Sequence, residues 1–221
     1  MSNAAIEEIS RRSREAILSK VRRAYRRPDF QRAESADPAV HIRRSAGRVE
    51  DMIERMRENR FSVEQCQTGE LEERINAVVA ASGLKSMMYP ADIGLDMDRI
   101  QAEPKLLYDR QIEELRHEVF STDAAVIRAR AGVASHGVAL VVSTPEQPRL
   151  LSLAPTLCIM LLRREDVVDS LVDALHLVRQ DYRGQLPANI LFVAGPSRTS
   201  DIELVTVFGV HGPQQVHILI H

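Results

Sequence analysis

The chain reads as an α/β protein: a mostly parallel sheet flanked by helices, preceded by an N-terminal helical arm. Three observations predict this. From residue 61 onward short apolar runs alternate with helical stripes of three- and four-residue spacing. Two of those runs, 156–162 and 190–193, are continuously apolar, as strands covered on both faces are. Between them the stretch 166–182 carries Val168, Leu171, Leu175 and Val178 at helical spacing. Strand, helix, strand is a βαβ unit, which predicts a parallel pair joined by a right-handed crossover.

The elements follow in order. Ile6, Ile9, Ser13, Ile17, Val21 and Tyr25 fall on one face of a first helix that ends before Pro28. After a polar linker at 29–36, Asp37 and Pro38 suit the cap and first position of a second helix striped by Ile42, Ala46, Val49, Ile53 and Met56. These two helices, residues 1–60, hold too little apolar surface to fold alone. They are expected to lie against the body or a second copy of it, which leaves a homo-oligomer through the arm open. Residues 61–221 form the α/β domain. A strand is expected at 61–66, a helix from Thr68 to Gly83 with Leu71, Ile75, Val78 and Val79 inward, and a strand at 85–89 ended by Pro90. The stretch 91–120 gives no clear pattern, and Pro104 breaks any helix there. Residues 124–127 and 138–142 read as strands. His217 and His221 alternate with Val216, Ile218 and Ile220, which places the histidines on the less buried side of a last strand.

Composition narrows the function classes. With 221 residues, 44% hydrophobic and 27% charged, the chain is an ordinary globular protein of one domain with an appendage. No apolar run reaches the roughly 18 residues of a membrane span, and the start lacks the order of a signal peptide, so a cytoplasmic protein is expected. Cys66 and Cys158 stand alone in apolar runs, which argues against a disulfide framework, a zinc site or an intrinsic cluster of iron and sulfur. Of the 29 basic residues only Lys20, Lys85 and Lys105 are lysines, and none sits in a P-loop. There is no Trp to stack on bases. Residues 1–60 carry 15 Lys/Arg against 10 Asp/Glu, a net of +5, and the remainder is acidic. A basic arm could meet nucleic acid, a membrane surface or another subunit, but its arginines interleave with Glu as on a solvated helix face. Nucleic-acid binding is disfavoured, and salt-dependent retention on DNA would test it.

Chemistry concentrates in the tail. The apolar run ending at Ala194 breaks into Gly195-Pro196-Ser197-Arg198-Thr199-Ser200-Asp201-Ile202-Glu203, followed by Gly209-Val210-His211-Gly212-Pro213. Ser200 and Glu203 fit a capping box. That leaves Gly195, Ser197, Arg198 and Thr199 available: backbone N–H groups, hydroxyls and a guanidinium at a helix start suit a carboxylate or phosphate. A small anionic ligand is therefore expected there, at the carboxyl end of a strand, as in open α/β sheets. Asp201 and Glu203 are candidate acid–base or nucleophilic carboxylates, and His211 is a candidate proton carrier in a turn whose glycines, Gly209 and Gly212, imply close approach. Two further junctions add Arg149 and Ser152, from Arg149-Leu-Leu-Ser-Leu-Ala-Pro155, and His136, from Ala134-Ser135-His136-Gly137. No metal site is expected from the histidines.

At these residues the chain resembles the LUD-domain family, in particular its lactate utilization protein C (LutC/YkgG) type. Members carry a tail G-P-S-x-T-x-D-I-E and then G-V-H-G-P, matched here by Gly195, Pro196, Ser197, Thr199, Asp201, Ile202, Glu203 and residues 209–213. An upstream R-x-x-S-L-x-P matches Arg149, Ser152, Leu153 and Pro155. The likeness covers residues 60–221 approximately. It implies a fold similar to the NagB/RpiA/CoA-transferase-like superfamily. It also implies an accessory subunit, itself free of clusters and of any other cofactor, in a three-component system that oxidises L-lactate to pyruvate. The iron–sulfur clusters are expected in the partner subunits. Whether this subunit is itself an enzyme is left open by the resemblance. A self-contained sugar-phosphate isomerase or acyl-CoA transferase-like enzyme, with Arg198 as anion clamp, is the alternative. One departure is plain: where members usually have an acidic residue, Thr or Ser, then Gly, this chain has Ser135-His136-Gly137 after Ala134.

Overall fold

The computed structural model describes residues 3–26, 46–183, 185–199 and 207–221, with side chains of the first helix from residue 7. The chain divides into two compact units at Pro38. In the first, helix α1 (Asn3–Tyr25) follows the expected stripe and carries a charged face on which Arg11 bridges Glu8 (2.9 Å) and Glu15 (3.4 Å). Asp37, Pro38 and Ile42, expected to open the second helix, lie outside the described residues.

The second unit begins with α2 (Arg48–Glu58), which the sequence reading assigned to the arm. It belongs to the body instead. Val49, Met52, Ile53 and Met56 are buried, the two methionines completely, and they join the main core. Full burial of each such side chain is worth about 1.5–3 kcal/mol, which an exposed arm helix would forgo. The domain therefore begins earlier than residue 61.

The elements that follow are β1 (Ser62–Gln65), α3 (Leu71–Ser82), β2 (Met87–Pro90), β3 (Lys105–Tyr108), α4 (Ile112–Ser121), β4 (Ala124–Arg128), β5 (Ala131–Val133), β6 (Val138–Val142), β7 (Leu157–Leu162), β8 (Val167–Val168), α5 (Leu171–Asp181), β9 (Ile190–Val193), β10 (Arg198–Thr199), β11 (Val207–Phe208) and β12 (Gln215–Ile220). Six of the strands make one sheet in the order β1-β12-β7-β4-β2-β3, with every pair parallel. The fold class is thus α/β with a parallel central sheet, as the continuous apolar strands predict. Leu71, Ile75, Val78 and Val79 of α3 cover one face together with Ile93 and Ile100. The other face packs on α2, on Leu115 and Val119 of α4, and on Ala139 and Val141 of a second sheet.

That second sheet, β8-β5-β6-β9, overturns the expected βαβ unit. β9 pairs antiparallel with β6, Ala139 opposite Val193, and never meets β7. After β7 the chain forms β8, which pairs with β5, so it has left the central sheet before any helix begins. The helix starts at Leu171 rather than 166 because Ser170 caps it: its Oγ accepts from Asp173 N (3.1 Å) while the Asp173 carboxylate accepts from Ser170 N (3.1 Å). Ala174 and Val178 of α5 then pack on the outer face of β5 and β6. β9, read as buried, is a half-exposed edge strand with Phe192 37% exposed.

The unreadable stretch 91–120 contains β3 and α4, the former beside β2 at the sheet's edge. β12 is an interior strand between β1 and β7, and its histidines are on its less buried side as expected: Val216, Ile218 and Ile220 are buried, whereas His217, and His221 just after the strand, are only partly buried. His217 is 13% exposed in its side chain and lies 3.1 Å from Glu64 Oε1, without forming a well-directed hydrogen bond. Burial pushes its pKa below the usual histidine value, and the Glu64 charge opposes that shift.

Candidate functional site

The tail junction assembles around the C-terminus of α2. Asn59 caps that helix, its N–H donating to Arg55 O (2.9 Å) while the following Arg60 N–H donates to Arg57 O (3.0 Å), and its side-chain Nδ2 donates to His136 O (2.9 Å) and Gly137 O (3.0 Å). Its carbonyl oxygen faces Gly195, where an added Cβ would lie 2.0 Å away. Gly195 also has φ +97°, a region closed to most side chains. Gly137 is similar, with φ +58° and α2 backbone 2.5 Å from a hypothetical Cβ. Both glycines are required by close approach of backbone to the helix end.

The 209–213 turn closes on the same spot. Ser197 N donates to Pro213 O (2.9 Å) and Gly209 N donates to Ser197 O (3.0 Å). Arg198 and Thr199 pair antiparallel with Phe208 and Val207. A Cβ on Gly212 would touch Ser197 Cβ at 3.1 Å and approach Leu153 O at 3.9 Å. Gln214 and Gln215 donate their N–H groups to Thr156 O, just before β7.

The structure therefore brings Gly195, Ser197, Arg198, Thr199, Gly212 and the 136–137 turn together, and the Arg149–Pro155 element reaches them through Leu153. It corrects their location. The junction follows β9 of the antiparallel sheet, but it precedes β12, β7 and β1, so it sits at the amino end of the parallel sheet. The expected carboxyl-end position followed from a βαβ pairing that does not form.

Its polar groups divide into used and available. Ser197 N is taken, and Arg198 Nη2 donates to its own Ala194 O (2.9 Å) while the side chain remains exposed. Ser197 Oγ and Thr199 Oγ1 have no partner among the described residues. His211 is exposed. His136 is exposed too, with Nδ1 2.7 Å from Ser135 Oγ. Ser152 is buried, its Oγ donating to Arg149 O (2.7 Å), which gives it a turn-closing role. Asp201 and Glu203, the candidate carboxylates, lie outside the described residues, as does the Ser200 cap.

The guanidinium of Arg149 belongs to a different place. It lines a cleft of about 680 Å³ with Ser143, Thr144, Pro148, Tyr182 and Asn189, at the carboxyl end of β6. Across Thr144 and Tyr182 this adjoins a second cleft of about 380 Å³ at the carboxyl ends of β4 and β7, lined by Arg128, Arg130, Gln147, Arg163 and Asp166. Arg130 bonds Asp181 (2.5 Å) and Asp166 (2.9 Å), which hold its pKa above the usual arginine value. Arg163 shares Asp166 (2.7 Å). Among the described residues no group of three or more His, Cys, Asp or Glu could hold a metal ion, and no helix is long and apolar enough to cross a membrane.

The sequence profile described as LUD domain matches residues 49–221. The chain belongs to the LUD domain family. Its fold agrees with that of a solved structure, a DUF162 family protein from Deinococcus radiodurans. The two superpose with a TM-score of 0.60 at 17% identity, over 79% of this chain and 96% of that one. Among curated relatives, lactate utilization protein C of Shouchella clausii is 27% identical over 67% of this chain and 68% of its own length. The protein YkgG of Escherichia coli is 37% identical over 43% and 42% of the two chains. An uncharacterized protein of Neisseria meningitidis is 32% identical over 52% of this chain and 49% of its own. The chain spans about half or less of the length of the Neisseria meningitidis and Escherichia coli relatives.

In this LUD domain two groups of residues escaped the sequence reading. Asn59 gave no signal, because a helix-ending Asn is commonplace. Arg128, Arg130 and Arg163 did carry one: each stands at the end of a continuous apolar strand or just beyond it. In a parallel sheet that is where ligands collect.

Proposed function

We propose that this LUD domain serves lactate utilization as an accessory component of a system that oxidises L-lactate to pyruvate. Subunits bearing iron–sulfur clusters would be its partners, and the 195–199 junction would hold a small carboxylate. Membership of the family and the names of relatives such as lactate utilization protein C of Shouchella clausii support the first part. One observation carries the second. The 136–137 turn and Gly195 meet at Asn59, the 209–213 turn bonds Ser197, and together they leave the Ser197 and Thr199 hydroxyls and the exposed Arg198 at one rim. Hydroxyls and a guanidinium can receive a carboxylate through charge-assisted hydrogen bonds. Arg198 needs only to exchange its bond to Ala194 O for the ligand.

Deleting the chain should abolish growth on L-lactate, and the tagged protein should retain cluster-bearing partners. Normal growth with no such association would end the reading. In the purified protein Arg198→Ala should weaken lactate or pyruvate binding by ~1–3 kcal/mol by calorimetry, with the fold intact. Unchanged affinity would remove the junction as the site.

A further inference from the structure

We propose a second ligand site at the opposite rim, in the two adjoining clefts, for a nucleotide-type phosphate ester. Its phosphates would enter between Arg128 and Arg163, and its flat apolar body would lie on Tyr182 and the prolines of the wider cleft, beside Arg149. The site stands apart from the lactate reading, sharing no residue with the junction.

Topology comes first. β2 leads outward to β3, while β4 leads the other way to β7. The strand order therefore reverses between β2 and β4, and the crevice beyond their carboxyl ends is where open α/β sheets bind ligands. Arg128 stands there, at the end of β4, bonded to the carbonyl and carboxylate of Asp92 in the loop after β2.

Charge is the second point. The narrower cleft is lined by three arginines and one aspartate. Arg130 is committed on both sides, to Asp166 and Asp181, and its role is to hold those carboxylates and the wall. The others are loosely held. Arg128 and Asp92 are 48% and 44% exposed, a pairing that contributes little in water and exchanges readily. Arg163 shares Asp166 (2.7 Å) with Arg130 and otherwise meets only Glu165 (3.4 Å), a pair more than half exposed on both sides, at 57% and 69%. Arg149 has no side-chain partner among the described residues, and Glu146 is the acidic residue of its cleft. Guanidiniums so placed suit the paired oxygens of phosphate.

Shape is the third. The wider cleft is walled by Pro145, Pro148, Pro187 and Tyr182, the last shared between both spaces. Rigid apolar walls beside a cationic pocket accept a planar ring carrying phosphates. The clefts, about 380 and 680 Å³, are of the size that small ligands occupy.

The test is calorimetry on the full chain with ADP, adenosine and pyrophosphate as probes. ADP should bind, and both fragments should bind at least about tenfold more weakly, since each fills one cleft. Arg128→Ala and Arg149→Ala should each raise the ADP Kd about tenfold, Tyr182→Ala should weaken ADP but not pyrophosphate, and Arg198→Ala should leave ADP unchanged. Circular dichroism of each variant confirms that the fold persists. Absence of heat with ADP at millimolar concentration would overturn the site. Equal affinity for pyrophosphate and ADP would overturn the placement of the flat body. Loss of ADP binding in Arg198→Ala would move the ligand to the other rim.

Discussion

At the amino end of the parallel sheet, three glycine-bearing segments, at 136–137, 195–199 and 209–213, gather beside the end of α2. At the carboxyl end, arginines of which only Arg149 belongs to a motif stand around two open clefts. The first region looks functional in sequence because it is rich in Gly, Pro, Ser and Thr. Yet much of that pattern is explained by packing: Gly195 and Gly137 exist where backbone meets the end of α2. The second region carries only a faint signal in sequence, an Arg after an apolar strand being ordinary, yet it holds two clefts. A conspicuous motif can thus record close backbone approach as much as chemistry, and the two rims should answer differently to substitution.

The sharpest test of that difference is Gly195→Ala. A Cβ 2.0 Å from Asn59 O, at φ +97°, should cost about 2–5 kcal/mol, read as a lower urea midpoint. Unchanged stability with lost ligand binding would return the glycine to a purely functional role. Asn59→Ala comes next. Losing the bonds to His136 O and Gly137 O should destabilise by about 1–2 kcal/mol and free the 136–137 turn, seen as faster amide exchange there.

Between the rims, the partly buried His217 makes a smaller, pH-dependent contribution. Its folded pKa is depressed by burial, so the unfolded chain takes up the proton first as pH falls. Stability from this residue is full above the unfolded value of 6.5 and declines as pH drops from there towards the lower folded pKa. His217→Gln should flatten that part of the stability–pH curve measured by urea unfolding, and an unaltered curve would show that the histidine titrates alike in both states. The smallest effect is expected at the carboxyl rim. Arg149→Ala should change stability by less than about 0.5 kcal/mol, because its guanidinium is exposed and has no partner among the described residues. A larger loss would mean that this rim too is built for packing.

Much of the fold was legible. The helix from Thr68 to Gly83, the strands at 124–127 and 138–142, and the stripe of α1 all follow from local periodicity, and each was read from its own residues. The βαβ unit failed because pairing is not local: nothing within 190–193 distinguishes a parallel neighbour of β7 from an antiparallel neighbour of β6. The stretch 91–120 was opaque because β3 has only four residues, too few for a period to show. The arm boundary slipped because the stripe of α2 says that one face is buried, but not against what.

The candidate site divides in the same way. Sequence singled out Ser197, Arg198, Thr199 and His211 as candidates and determined that the fold is α/β, since residue type and periodicity are written in adjacent positions. Only the tertiary structure decided at which end of the sheet they gather, that Arg149 turns to another cleft, and that Asn59 and Arg128 belong to the rims. Those facts depend on strand order and direction, which arise from burying distant apolar faces against one another and leave no mark on any single segment.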